Sequence, residues 1–254
     1  MSATNECVEK IYAARNAYDA LKDSLRPSVT NYGVLTAAET NIASMITPDE
    51  TSLATQADIE TFLNGFNGVT LENLKTVNAA INALDGEISA LTALQRYSIS
   101  NLEDYYAAKS TFKVIDDMTG GDIASRFNLK GANGINNGDT APSAASVLND
   151  STYGKCATIG KSTEGLEIRY AAKDNLDLSG YTHVLIGVKN NLGVTVNVQN
   201  CVSGATLVSG LESGKFATVI LTVNEFINQG IAIWVNNEGT VWLTSIVAVT
   251  LTDE

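Results

Sequence analysis

Residues 182–190 read THVLIGVKN, and Val184, Leu185, Ile186 and Val188 make this run apolar at successive positions. Neighbouring side chains of an extended segment point to opposite faces, so a strand of this kind is covered on both sides. It reads as a central strand, sheltered by a second sheet, by helices or by a neighbouring subunit. Short β-rich runs flank it in both directions. Upstream are FKVIDDM (112–118) and LEIRYAA (166–172); downstream are VTVNVQN (194–200), FATVILTV (216–223), GIAIWVNN (230–237) and TVWLTSIVAVTL (240–251). Turn-forming stretches separate them: NNGD, LSGY, SGLESGK, NQG and NNEG. This spacing predicts an antiparallel sandwich. Residues 128–153 are polar and rich in turn formers, and are expected to form surface loops.

Before Phe112 the period is helical. Val8, Ile11, Arg15, Tyr18 and Leu25 fall at three- and four-residue steps, which predicts a helix from Ala3 to Leu25 that Pro27 ends. TAAETNIASMI, stopped by Pro48, and TQADIETFLNGF, opened at Thr55 or Gln56 and closed at Gly65, read as short helices. The fold class expected is α+β, with a helical and coiled-coil region over 1–111 followed by a jelly-roll sandwich over 112–254.

The clearest helical pattern is Leu74, Val77, Ile81, Leu84, Ile88 and Leu91, an a/d heptad seam with Thr70 and Glu72 at its start. It falters at Gln95 and Ser98 and resumes at Leu102 and Tyr105. Gly86 lies inside it, a place where the helix could break into an antiparallel pair. Two readings fit: an intramolecular bundle, or self-association into a trimer or dimer.

The order FKVIDDM, GKCATIGKSTEGLEIRY, DLSGYTHVLIGVKN, GLESGKFATVILTVNEF and GIAIWVNNEGTVWLTSIVAVTL resembles the galactose-binding-like jelly rolls of carbohydrate-binding modules. The resemblance runs from Phe112 to the C-terminus and implies that fold. Two acids often follow the leucine in that family's final strand and help hold a structural calcium; here Thr244 and Ser245 stand there, leaving Asp116 and Asp117 as a thin calcium set. The family's central strand usually carries a ligand-facing aromatic, whereas this one has Leu185, Ile186, Gly187 and Val188. Tyr153, Tyr170, Trp234 and Trp242 remain as candidate platforms for the apolar face of a sugar. The plain alternative for both tryptophans is packing.

Composition narrows the function classes. The 254 residues hold 28 acidic and 16 basic side chains, a net charge of −12, and only 17 % charged residues. That balance lacks the basic footprint of a nucleic-acid or anionic-membrane binder. Cys7, Cys156 and Cys201 lie far apart and, with one histidine, make no standard zinc site, so free thiols are expected. No export signal or spanning run is visible, which points to synthesis and folding in a reducing cytoplasm. Acids such as Glu164, Glu167, Asp174, Asp177, Glu212, Glu225 and Glu238 mostly sit in turn-like contexts, His183 opens a strand, and no GxSxG frame exists. No catalytic set is expected, and no cofactor beyond the calcium question.

A helical, self-associating first half joined to such a sandwich also resembles the layout of bacteriophage virion fibres and appendages. That resemblance implies a structural virion protein: a head fibre, tail fibre or decoration component. Its N-terminal part would anchor to capsid or tail proteins and trimerise, and its sandwich would meet host-surface polysaccharide. The alternative is a free bacterial lectin-like module.

Overall fold

The computed structural model describes residues 4–119, 125–131, 145–162 and 165–251, the side chains of 145, 146 and 173 excepted. The chain divides into two compact units: Met1–Asn67 with Asn78–Lys109, and Gly68–Val77 with Ser110–Glu254.

Helices build the first unit: α1 (Asn5–Asp19), α2 (Tyr32–Ala43), α3 (Glu50–Gly65), α4 (Leu74–Ala90), α5 (Ala93–Ser98) and α6 (Leu102–Ser110), with the first turn of α4 counting in the second unit. Their starts follow side-chain caps. Thr4 accepts from Cys7, Asp49 from the Ser52 amide at 2.8 Å, and Thr92 with Gln95 forms a capping box. α1 stops at Asp19, earlier than expected, and Pro27 lies in a separate 3₁₀ turn, Arg26–Ser28. α3 begins at Glu50 rather than at Thr55 or Gln56, because Asp49 supplies the cap.

Five of the six seam residues, Leu74, Ile81, Leu84, Ile88 and Leu91, are buried within the chain itself. Tyr105 of α6 donates to the Ile81 carbonyl and to Asp85, at 3.3 and 2.8 Å, and Arg96 of α5 donates to the Leu91 carbonyl at 2.8 Å. Hydrogen bonds from α5 and α6 of the same chain thus reach α4 at Ile81, Asp85 and Leu91. α4 runs unbroken through Gly86, so the expected break does not occur there. The turn falls after Ala90, where the Thr92 cap starts the next helix. Thr70 does open α4, but it exchanges hydrogen bonds with Asn73 and not with Glu72.

The second unit is a sandwich of two antiparallel sheets, which places the whole chain in the α+β class. Its strands are β1 (Phe112–Asp116), β2 (Phe127–Lys130), β3 (Ala145–Asp150), β4 (Gly154–Lys161), β5 (Leu166–Tyr170), β6 (His183–Asn191), β7 (Val196–Asn200), β8 (Thr206–Leu211), β9 (Phe216–Thr222), β10 (Ile231–Ile233) and β11 (Gly239–Val249). One sheet runs β3-β4-β11-β6-β9 with β1 also on β11; the other runs β2-β5-β10-β7-β8. Ile159, Val184, Ile186, Val188, Val219 and Leu243 of the first sheet share one core with Leu129, Leu166, Ile168, Val198, Ile231 and Ile233 of the second.

The run 182–190 is the central strand β6, between β11 and β9. Its outward Leu185 is buried too, as are Val247 and Val249 beside it. Gly187 has a steric cause. β11 bulges between Leu243 and Ile246, Thr244 turns across the strand to accept the Gly187 amide at 3.1 Å, and a Cβ on Gly187 would lie 2.2 Å from its Oγ1. Part of the expected loop 128–153 is strand, with β2 and β3 at its ends, and β8 was not foreseen. All three cysteines are free. Among the described residues no helix is long and apolar enough to cross a membrane.

Candidate functional site

The outer face of the second sheet carries the best-formed array of ligand-type side chains. Leu166, Ile168, Ile231, Ile233 and Val198 point into the core, so their neighbours in sequence point out. Register aligns those neighbours in rows across the strands. One row is Lys130, Glu167, Ala232, Gln199 and Thr206; a second pairs Asn128 with Arg169. Glu167 lies between two cations, 3.7 Å from Lys130 and 3.4 Å from Arg169. Arg169 also reaches the Cys201 sulfur at 3.2 Å, and burial pushes that thiol's pKa up.

Trp234 stands at one end of this face, directly after β10, and is 50 % exposed. Its indole meets the backbone at Gly165 along the Cε3–Cζ3 edge, where a Cβ would fall 1.8 Å from Trp234 Cε3. A half-exposed indole on the same sheet face as charged and amide groups can stack on an apolar ring face while donors and acceptors hold hydroxyls.

The other three aromatic candidates lie elsewhere. Tyr170 is core, packed edge-on to Phe127 and tilted against Phe226, each at 5.5 Å between centroids, so it is no platform. Trp242 and Tyr153 belong to the outer face of the first sheet, in a ladder with Phe216: Tyr153 to Phe216 is 4.1 Å and Phe216 to Trp242 is 6.3 Å. Lys189 Nζ sits 4.1 Å from the Trp242 ring centre, a cation–π contact that occupies the indole face. Burial, with Glu72 adding, raises the Tyr153 pKa. The four aromatics are split between two faces and the core, and they form no common site.

The calcium pair is also differently employed. Asp116 is buried and takes Arg126 as its counter-ion at 2.9 Å, while its other oxygen accepts the Met118 amide. Asp117 turns to the Thr119 amide and hydroxyl. Burial raises the Asp116 pKa against the pull of those partners. Among the described residues no three metal-binding side chains converge. His183 bonds its neighbour Thr182 at 2.9 Å, and Glu225 closes a capping box at the start of α7 (Val223–Asn228). Glu167 departs from the expectation of a turn-like, solvated acid. Its signal was the alternation of LEIRY, which sets Glu167 and Arg169 together on the outward side.

No protein-family model and no curated protein sequence matches the chain. Among solved structures, a family 11 carbohydrate-binding module of a cellulosomal cellulase of Clostridium thermocellum covers 56 % of this chain and 96 % of its own, at 11 % identity and TM-score 0.34. The family 11 module in complex with a β-1,3-1,4-mixed-linked tetrasaccharide gives 56 %, 98 %, 12 % and 0.33. A family 29 module complexed with mannohexaose gives 55 %, 92 %, 16 % and 0.31. At such TM-scores the likeness carries no argument about ligand.

Proposed function

We propose that the sandwich is a non-catalytic carbohydrate-binding module that holds a polysaccharide on the outer face of its second sheet. The observation that carries this is Trp234, half exposed, with its ring edge at Gly165, two residues along the chain from Ala232 in the middle of the row that holds Lys130, Glu167 and Gln199. Sugar rings stack on the indole, and the row supplies both donors and acceptors for hydroxyls. Lys130 and Arg169 offset Glu167 locally, while the chain's net charge of −12 repels polyanions, so the fitting ligand is an uncharged polysaccharide. Affinities of about millimolar to micromolar suit one exposed face of this size.

The alternative of a free binding module therefore takes precedence over a bacteriophage fibre. No residue of the site speaks for a particle, and the seam that was to trimerise is buried within its own chain.

The test is titration calorimetry against neutral polysaccharides with Trp234→Ala. Wild type binds and the variant, at unchanged melting temperature, loses binding by at least about tenfold, or 1.4 kcal/mol. Equal binding by both proteins removes the platform.

A further inference from the structure

Lys161 ends β4 on the inward side of the strand, the side it shares with Ala157 and Ile159, and it is 0 % exposed. Among the described residues its ammonium donates to the backbone carbonyls of Ser162 at 2.8 Å, Val235 at 2.7 Å and Asn237 at 3.1 Å. Val235 and Asn237 lie in the segment between β10 and β11, which carries the chain from one sheet to the other. The segment opens with Trp234. Taking an ammonium out of water is costly unless its protons are all engaged, and burial correspondingly lowers the Lys161 pKa. Carbonyls at the mouth of a sandwich could be satisfied by solvent. A buried lysine there does something water cannot, since it draws two carbonyls of one loop to a single point anchored in β4.

We propose that Lys161 is the positioning residue for Trp234: its ammonium clamps the carbonyls that follow the tryptophan and so holds the indole against Gly165. The clamp is a property of the free protein, while its value for ligand binding rests on the carbohydrate reading. Lysine suits the task because its compact head carries three donors on a long stem that reaches from one sheet to the connection.

The chain has two tryptophans, so Trp242→Phe leaves Trp234 as the sole indole reporter. In that background Lys161→Met keeps the stem's bulk and removes the donors. In the absence of any sugar, the expected result is lower fluorescence anisotropy and stronger acrylamide quenching of Trp234. With a neutral polysaccharide, affinity falls by about tenfold, equal to 1.4 kcal/mol. In Lys161→Ala, n-propylammonium is expected to restore the anisotropy, a rescue that a change of general packing would not give. A folded Lys161→Met variant with unchanged anisotropy and quenching overturns the clamp. Should neither variant fold, refolding of Lys161→Ala by n-propylammonium supports it, and failure of the amine to refold the chain overturns it. If the indole loosens as expected but wild type binds no polysaccharide, the clamp stands and the carbohydrate reading falls.

Discussion

Gly165 is a residue whose lack of a side chain shapes the candidate site. Gly165→Ala would set a methyl 1.8 Å from the Trp234 ring, and the indole must swing away. The expected outcome is weaker polysaccharide binding with the far-UV circular dichroism of wild type; unchanged affinity would show that the pose of the ring against Gly165 is unimportant. Asp116 offers a second check. Asp116→Ala leaves Arg126 buried without its counter-ion, and chemical denaturation is expected to show a loss of about 3 kcal/mol or more. The sign of its pH effect follows from burial. With the folded pKa above the ordinary 3.8, the folded state binds the proton more tightly, so this group's contribution is fully present below 3.8 and is lost as pH rises through the raised value. Asp116→Asn should flatten that part of the stability-against-pH curve, and a slope unchanged from wild type would refute the assignment. Alternation made Glu167 and Arg169 legible as outward neighbours, and it equally marks Lys161 as inward after Ala157 and Ile159. Lys161 escaped notice because a lysine closing a strand reads as an exposed end. Only the loop that folds back over it, formed by residues more than seventy positions away, makes it buried.

At the scale of elements, the heptad positions of α4 were legible and their partner was not. An a/d pattern states which side of a helix is covered, and a short intrachain bundle satisfies it as well as a second copy does. The faltering at Gln95 and Ser98 was the local sign, since both belong to α5, a separate helix that begins after the turn following Ala90. Ile81→Asp with Ile88→Asp is therefore expected to melt helix, read by circular dichroism. A fully helical variant of lowered mass would instead restore the coiled coil. Gly86 is exposed, and a methyl added to it would meet no heavy atom within 4 Å, so Gly86→Ala should stabilise the helical unit by about 0.5–1 kcal/mol in thermal or urea unfolding. Runs apolar at successive positions, such as VLIGV in β6 and TVILT in β9, were visible from the order of their residues alone. β2, β3 and β8 (FNLK, ASVLND, TLVSGL) are short and mix polar with small residues, and their pairing is imposed by the neighbours that receive them.

For the whole molecule, the change of period near Phe112 separated helices from strands, and the sandwich follows from the number and spacing of the runs. The site was only partly legible: Trp234 was among the candidates, and the alternation of LEIRY, which turns Tyr170 inward with Leu166 and Ile168 to pack against Phe127 and Phe226, was the signal that sets the two apart. With the seam residues buried inside one chain, light scattering at two concentrations is expected to give the mass of a single chain, 26.8 kDa. A trimer that persists on dilution would place an interface on another surface.

The carbonyls gathered around Lys161 Nζ make, in coordination terms, a small oxygen-lined hole of the kind that could host a free cation, except that the cation is covalently attached to the chain. An ion on a tether does not dissociate, so no bulk salt need be present to fill the hole. The arrangement of Val235 and Asn237 should consequently be indifferent to chelators and to dialysis, and polysaccharide affinity measured before and after exhaustive treatment with EDTA should be the same.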